Sequence, residues 1–557
     1  MLLNGTDDEN VPAEIPVSKK DVYEYDLPDL ADSYTSLYFW YTTPQEGSKV
    51  EFSWKNLSTG RTGSRVLTQP TEKGTVFAKK SLASCVSAGK NEITMTVTPP
   101  EGSGEEAQSY VFNVNLIPTV KELSAEADGA LVYLDKAFAK TETNYVLTVP
   151  KDAKELVLDC VPNSTSYKIS YNGLESSTFN LEGLDEIKVT VSIGEGENLV
   201  SRTYTVKIKK ADGYSFKPVL KIPGSVLMVY DSEGVIISPD EDGCYIGMFA
   251  DQTYTYTVSK YGYVGVKEEV KMSDLHPEVT LSKAPESNHA EVNAQWKNFR
   301  NSDANMGITN AETPINVEYT ALLWNKKLGS NWGDAPSVQI IVDDALVVMS
   351  GKKIYKLDLE TGETLAEGDM DQSPNYGYTP PIYAEGLIIC PLGNGTIQAF
   401  DAKTLESVWV YKDDIRQEQS LSPIAYSDGY IYTGFWTKET GDAHFVCVSV
   451  TDEDPESTNE TKTAVWKHRQ PGGFYWAGSV VVGDYVLVGT DDGTNKSGGT
   501  SYIYSFNKYT GEVVNKTALE GAEDQRSALA YDEATGRIYF TSKAGYLFRA
   551  DVDAKTG

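Results

Sequence analysis

A repeat of about 43 residues fills the C-terminal half of the chain and constrains its fold more than any other feature. Each copy contains a strand of alternating apolar residues. In four copies an Asp or Asn stands at the end of this strand, and a turn that contains Thr follows. The copies lie at residues 354–363, 397–406, 445–450, 503–512 and 547–557. Asp358 and Asp401 are 43 residues apart, and Asn507 and Asp551 are 44 apart. This period is typical of the four-stranded blades of a β-propeller, so we predict five blades over 295–557.

These copies resemble the PQQ-like propeller repeat. The resemblance rests on a strand ending in Leu357-Asp358, a Thr361-Gly362 turn and a Trp such as Trp409 in the next strand. It implies a scaffold whose members usually have seven or eight blades. Residues 321–327, which include Trp324, could supply a fourth strand to the last blade and close a five-bladed ring. Alternatively, the chain is cut from a longer protein with more blades, and the family's usual blade number favours this.

Before the propeller, two segments end in the same pair of alternating strands. Ile93 and Tyr110 recur 94 residues later as Ile187 and Tyr204. Each pair predicts a hairpin that closes a β-sandwich of ~100 residues. The predicted domains are a linker at 1–16, a β-sandwich at 17–118, a second at 119–211, a small β-sandwich at 212–283, a linker at 284–294 and the propeller at 295–557. The fold class is therefore all-β, with tandem β-sandwich domains followed by a β-propeller.

Two of these segments resemble known modules of bacterial surface proteins. The second sandwich is similar to cadherin-like repeats at Leu123, Asp128-Gly129, Leu134, Phe138, Tyr145, Val149-Pro150 and the closing strand at Tyr204. Residues 212–283 resemble the small carboxypeptidase-regulatory-like or PEGA-type sandwiches, which are spacers in secreted proteins. The resemblance implies a stalk that carries the propeller as its head.

Charge excludes several classes of partner. Lys and Arg total 49 against 80 Asp and Glu, which gives a formal net charge of −31. A nucleic-acid binder needs a basic surface, and anionic lipid attracts basic segments, so neither partner is expected. No apolar run reaches the ~20 residues of a membrane helix, so we predict no membrane insertion. We expect an extracellular or cell-wall attached protein whose leader and anchor are absent from this sequence.

Catalytic motifs are missing from the sequence. If the resemblance extended to a quinoprotein enzyme, it would imply a pair of adjacent cysteines. The five cysteines of this chain are instead all far apart in sequence. The four histidines form no zinc-binding motif such as HExxH. We therefore predict no catalytic residue, no metal centre and no cofactor, with a quinoprotein-like or glycan-cleaving enzyme as the weaker alternative. Calcium at the acidic turns 240–242, 452–454 and 491–495 is a further possibility.

The loops that join one blade to the next supply the candidate binding site. In a propeller these loops open on one face, and here they are rich in aromatic and planar polar side chains. The predicted ligand-binding residues are Trp332, Asp334, Tyr376, Tyr378, Arg416, Tyr475, Trp476 and Arg526. Aromatic faces stack on sugar rings or hold peptide side chains, so the predicted function is non-enzymatic binding or adhesion to a glycan or protein. The alternatives are packing between blades, and a scaffold for protein assembly in the envelope.

Overall fold

The structure is a computed structural model in which the described residues form two compact units. The described residues are 2–3, 13–14, 22–32, 34, 37–39, 47–71, 80–82, 85–136, 138–249, 252–310, 312, 315–415 and 418–557. One unit holds residues 1–216 and 239–252, and the other holds 217–238 and 253–557. Most of the predicted linker at 1–16 lies outside the described residues. Across the described ranges the chain forms strands and short 3-10 helices without an α-helix, which confirms the all-β prediction.

The first unit contains the two predicted hairpins in equivalent register. Ile93 pairs with Phe112, and Ile187 pairs with Val206. In sheet order, the first sheet has Glu24–Asp26, Gln108–Ile117, Gly89–Thr98, Ser48–Asn56 and Thr62–Thr71, and Leu30–Ala31 also pairs with Gln108–Ile117. Small two-stranded sheets join Leu2–Leu3 to Ala13–Glu14, Leu37–Phe39 to Lys80–Leu82, and Gly213–Phe216 to Tyr245–Phe249.

Two four-stranded sheets follow within the same unit and enclose one apolar core. The first has Ala130–Val132, Val120–Ala127, Glu155–Pro162 and Thr178–Asn180; the second has Asn144–Pro150, Val200–Ala211, Glu186–Ile193 and Lys168–Tyr171. A 3-10 turn spans Gly196–Asn198. Leu123, Tyr145 and Tyr204 are buried in the core between the sheets. Alternate strand residues point to opposite faces, which is why the alternating sequence buries one side of each strand.

The second unit begins with strands that pack on the propeller. Its small sheets are Val219–Leu220 with Glu278–Val279, and Ile236–Ile237, Val226–Tyr230, Thr255–Ser259 and Val266–Glu269 in that order. Met228 is buried in the same apolar cluster as Trp466 and Phe506 of the propeller. The Tyr261 hydroxyl donates to Glu385 at 2.7 Å. These strands therefore share a core with the blades, a feature that the sequence alone did not reveal.

Five consecutive sheets form the blades. Blade 1 has Ala294–Trp296, Ile340–Val342, Ala345–Ser350, Lys353–Asp358 and Thr364–Asp369; blade 2 has Ile382–Ala384, Leu387–Leu392, Thr396–Asp401, Ser407–Lys412 and Glu460–Lys462. Blade 3 has Ala425–Ser427, Tyr430–Gly434, Asp442–Ser449 and Trp466–Pro471; blade 4 has Val480–Val482, Tyr485–Gly489, Ser501–Asn507 and Val513–Leu519; blade 5 has Ala530–Asp532, Arg537–Thr541 and Leu547–Asp551. Three 3-10 turns, Phe299–Asn301, Val317–Tyr319 and Trp332–Asp334, precede the second strand of blade 1. Within the described ranges, no helix is long and apolar enough to span a bilayer.

The repeat motif builds the same turn in successive blades. The Asp358 carboxylate accepts hydrogen bonds from the backbone N–H of Thr361 at 2.8 Å and from its hydroxyl at 2.9 Å. Gly362 has a φ of +71°, which a residue without a Cβ adopts without strain. The Trp466 indole of blade 3 lies on the corresponding turn of blade 4 and donates to the Lys508 carbonyl at 3.1 Å. This indole therefore joins blade 3 to blade 4.

Residues 321–327 do not form the closing strand that the sequence allowed. They contain no strand, and the three-stranded blade 5 pairs with none of them. Instead, the Trp324 indole donates to the Leu359 carbonyl at 2.9 Å and lies on the Thr361-Gly362 turn of blade 1. Trp324 thus occupies on blade 1 the place that Trp466 occupies on blade 4. The docking of the indole, rather than strand pairing, explains its spacing from the repeat.

A histidine fastens the segment before blade 1 to two other blades. His289 Nδ1 lies 2.9 Å from Asp401, and His289 Nε2 lies 2.9 Å from Asp452. Hydrogen bonds to Asp452 and Asp401 outweigh burial and raise the pKa of His289. Only the imidazolium can donate from both ring nitrogens at once, so the bridge needs the charged form.

We expect this bridge to make stability depend on pH. Because the folded pKa of His289 is raised, its contribution is complete below the unfolded value of ~6.5 and is lost as pH rises through the folded pKa. The thermal midpoint of the unit that contains the propeller should therefore fall more steeply above pH 6.5 in the native protein than in His289→Ala. Parallel slopes for the two proteins between pH 6 and 9 would contradict this assignment.

Candidate functional site

Aromatic side chains from several blades form a continuous ribbon on the face where the connecting loops open. Trp332 stacks on Tyr376 at 5.2 Å with an interplanar angle of 2°. Tyr376 contacts Tyr378 at 6.2 Å, and Tyr378 meets Trp476 edge to face at 6.2 Å. Trp476 stacks on Tyr475 at 4.4 Å. All five aromatic residues that the sequence nominated for this face therefore contact one another in series.

Most of the ribbon faces solvent. Trp332 is 72% exposed, Tyr378 61%, Tyr376 41% and Trp476 40%. Aromatic residues that only fill space between blades are buried, as Trp409 and Trp466 are. Contiguous exposed apolar surface on a soluble domain often marks a binding site. Trp409 and Trp466 therefore pack within the fold, whereas binding at the ribbon stays a prediction that its exposure supports.

Two members of the ribbon have a strained backbone. Tyr376 has a φ of +56° and Trp476 a φ of +59°. A bulky residue in the left-handed region is an outlier that costs about 1–3 kcal/mol and persists where the surroundings impose it. Both residues are exposed, so burial of their rings does not explain this cost. Such strain is found preferentially at functional sites, and here it aims two rings outward.

The structure describes Asp334, one of the charged residues predicted for the site, but does not describe Arg416. Asp334 closes the turn that carries Trp332, because its carboxylate accepts from the backbone N–H of Ser330 at 2.9 Å and of Asn331 at 2.7 Å. A hydrogen bond from the Ser330 hydroxyl, together with these two backbone hydrogen bonds, lowers the pKa of Asp334 to about 2. Asp334 thus positions Trp332, and its direct contact with a ligand stays a prediction. Arg416 lies outside the described residues.

Arg526 lies at the base of the ribbon and is held by carboxylates. Its guanidinium is 4.7 Å from the centre of the Tyr475 ring. It lies 2.6 Å from both Asp491 and Glu439 and 3.0 Å from Asp524. Burial raises the pKa of Asp491 well above its usual range, although Arg526 opposes this. Arg526 therefore supports Tyr475 from below, and its predicted role in contacting ligand stays a prediction.

Trp436 extends the ribbon and was missed in the sequence. Its ring lies 4.3 Å from Tyr475, and its indole N–H donates to Asp491 at 3.1 Å. The residue belongs to the loop between the second and third strands of blade 3. Loops at that place open on the same face as the blade-to-blade loops, so the strand pattern could have identified it.

A second group, which the sequence did not suggest, lies buried between blades 2 and 3. His444 Nδ1 is 2.6 Å from Asp413, which also accepts from the Tyr411 hydroxyl at 2.5 Å. Burial would raise the pKa of Asp413, but hydrogen bonding and charge from His444 lower it to about 2. Burial and the neighbouring Asp413 raise the pKa of Glu418 to about 10.

Several carboxylates of the acidic turns named for calcium make contacts within the chain. Asp452 faces His289. Glu453 pairs with Lys462 and accepts from the Gly265 backbone at 2.7 Å. Asp240 accepts from the backbone N–H of Cys244 at 2.8 Å, as turn residues commonly do. Calcium at these turns stays a prediction.

Comparison with known proteins identifies the class of fold. A family model described as outer membrane protein assembly factor BamB matches residues 315–542. This stretch is thus a PQQ/BamB-like repeat region, as the repeats predicted, and it holds every member of the ribbon. The cadherin-like resemblance of the second sandwich stays a prediction. Curated proteins yield no match.

Solved structures with propellers of this type are similar at low identity. A quinohemoprotein alcohol dehydrogenase of Pseudomonas putida HK5 is 16% identical, with a TM-score of 0.35 over 47% of this chain and 50% of that one. A europium-containing methanol dehydrogenase is 13% identical, with a TM-score of 0.33 over 46% of this chain and 58% of that one. BamB from Moraxella catarrhalis is 15% identical, with a TM-score of 0.22 over 38% of this chain and 74% of that one. The chain thus spans about half the length of the two dehydrogenases.

Proposed function

We propose that this protein binds a linear glycan along the aromatic ribbon and acts as a non-enzymatic binding or adhesion protein. The observation that carries the proposal is the series of exposed rings from Trp332 to Tyr475, which contact one another across the blade-to-blade loops. Sugar rings present C–H faces that stack on aromatic side chains, and an extended chain of sugars suits an extended row of rings. Backbone strain at Tyr376 and Trp476 supports a role beyond packing.

Charge around the ribbon favours a neutral ligand. At its base the acidic residues Asp491, Asp524 and Glu439 surround the cations Arg526 and Lys543, so there is no excess of positive charge. The chain as a whole has a formal net charge of −31. A polyanionic chain would be repelled by this field, whereas a neutral polysaccharide would not. The exposed rings supply contact area that does not depend on charge.

Removing single rings tests the proposal. A glycan array probed with the full chain identifies a retained oligosaccharide, and calorimetry then measures its affinity. Trp332→Ala and Trp476→Ala should each weaken that affinity about tenfold or more, which corresponds to about 1.4 kcal/mol. Both side chains are exposed, so thermal stability should stay unchanged.

A matched variant separates ring stacking from a general loss of aromatic surface. Tyr23→Ala removes a ring that is 44% exposed and lies outside the ribbon. The affinity of this variant for the glycan should equal that of the native protein. If Trp332→Ala and Trp476→Ala retain full affinity for the glycan, the ribbon is not the binding site. If instead they unfold the protein at lower temperature, the rings are structural.

A second candidate function is organisation of protein assembly in the cell envelope. The observation that favours it is the family match over residues 315–542, because that model is described as a protein assembly factor. On this hypothesis the ribbon contacts a protein partner. An empty glycan array, together with a cross-linked partner from envelope extracts that Trp332→Ala loses, would support assembly over glycan binding. Either function places the protein outside the cytoplasm, which we propose on the same grounds.

A further inference from the structure

Three side chains with metal-ligating chemistry converge in the interior between blades 2 and 3. Asp413 follows the strand Ser407–Lys412 of blade 2, Glu418 lies in the same loop, and His444 is on a strand of blade 3. One ligand atom from each residue lies within 4.8 Å of the other two. All three side chains are buried. The group therefore combines an imidazole and two carboxylates in a closed space.

One atom of this group lacks the partner that its burial requires. Glu418 is 1% exposed, and its Oε2 has no hydrogen-bond partner among the residues that the structure describes. Buried polar atoms are almost always paired, because leaving one unpaired forfeits its hydration without compensation. The side chain of the nearby cation Lys467 is buried and pairs with Asp414. Its charge also acts on Asp413 and Glu418, without a hydrogen bond to Glu418 Oε2. A cation between Glu418 and Asp413 would satisfy this oxygen.

We propose that Asp413, Glu418 and His444 bind one divalent transition-metal ion, Zn²⁺ or Mn²⁺. Ca²⁺ and Mg²⁺ take sets of oxygen ligands, whereas an imidazole beside two carboxylates suits Zn²⁺ or Mn²⁺. Gly395 lines the site; a Cβ at this position would lie 2.7 Å from Glu418 Oε2, so the backbone approaches where a side chain would not fit. Side chains bind a metal ion in their deprotonated forms, so uptake of the ion should release protons to solvent.

The ion would support the ribbon from within. Gln419, next to Glu418, exchanges backbone hydrogen bonds with Trp436 at 2.7 and 3.1 Å. Trp436 in turn contacts Tyr475. Fixing Glu418 to blade 3 through a metal therefore orders the loop that holds one end of the ribbon. This inference rests on the buried group and does not depend on the identity of the ribbon's ligand.

Metal titration of the full chain tests the site. After chelation and dialysis, calorimetry with Zn²⁺ and with Mn²⁺, followed by elemental analysis, should show that the protein binds one equivalent of one of these ions. The bound ion should also raise the thermal midpoint of the protein. Glu418→Gln keeps the shape of the side chain and should lower that affinity at least about tenfold, as should His444→Gln. Substitution with Co²⁺ should give visible absorption bands that His444→Gln lacks.

A control histidine distinguishes this site from weak binding to the acidic surface. His276→Gln alters an exposed histidine of the same unit and should retain the full equivalent. The proposal is overturned if no stoichiometric ion is bound, or if Glu418→Gln and His444→Gln bind it as the native protein does. A native protein that takes up no metal, with Glu418→Gln raising its thermal midpoint, would show that Glu418 is a buried neutral acid.

Discussion

Replacing Trp466 with alanine should destabilise the propeller by about 3–5 kcal/mol, the range for truncating a large buried aromatic side chain. The indole is buried among Tyr432, Phe445 and Phe506 and donates to the Lys508 carbonyl. The substitution removes the contacts of the indole with blade 4 and takes the indole donor from the Lys508 carbonyl, while Phe445 still stacks on Phe506. Urea unfolding of the full chain, with hydrogen exchange at the strands of blades 3 and 4, measures the loss.

Two further variants show whether the docking geometry causes this loss. Trp324→Ala removes the equivalent, half-buried indole at blade 1 and should cost less, about 1–2 kcal/mol. A Cβ on Gly511 would lie 2.6 Å from the Trp466 ring, so Gly511→Ala should be destabilising. Its cost should shrink in the Trp466→Ala background, because only the strain at φ +77° remains. Costs that simply add would show that the ring and the turn do not interact.

The fold was predictable because its determinants are local and repeated. An Asp that accepts from the Thr three residues later builds a turn from four consecutive residues, as at Asp358 and Asp401. Five copies of such a pattern fix the class of fold even where one copy is degenerate. The pairing of Ile93 with Phe112 and of Ile187 with Val206 was readable for the same reason. Residues 321–327 were a possible closing strand in the sequence but form no strand in the structure. An indole that docks on a turn has the same spacing from the repeat as an indole in a strand, so the sequence could not distinguish the two.

The candidate site was predictable only in part, because its contacts join distant segments. The ring positions followed from knowing which loops share a face, so Trp332 and Trp476 could be nominated together. Whether a charged group is free to meet a ligand depends on partners far away in sequence. Arg526 meets Asp491 and Glu439 through the tertiary fold alone, and no local signal showed that it was already paired. The group of Asp413, Glu418 and His444 escaped notice for the same reason.

Arg526→Met should destabilise the propeller by about 3–5 kcal/mol at pH 7, because it leaves buried carboxylates without their cation. Asp491 and Asp524 are buried, and Asp524 would retain Lys543 at 2.8 Å as its one cationic partner among the described residues. Arg469→Met is the matched control. That arginine pairs with Asp442 at a partly exposed site, where a salt bridge contributes about 0–1 kcal/mol. Urea unfolding of the three proteins at several pH values measures both effects.

The pH dependence of that deficit identifies its cause. The folded pKa of Asp491 is raised by burial, and an acid with a raised folded pKa costs stability as pH rises above its unfolded value of ~4. Losing Arg526 raises this pKa further, so the deficit of the variant should shrink as pH falls through the folded pKa values of Asp491 in the two proteins. Each extra proton bound in the fold contributes about 1.4 kcal/mol per pH unit. A deficit that stays constant over this range would instead point to lost packing of the guanidinium against Tyr475, and the ribbon would then depend on Arg526 as a packing group rather than as a charge.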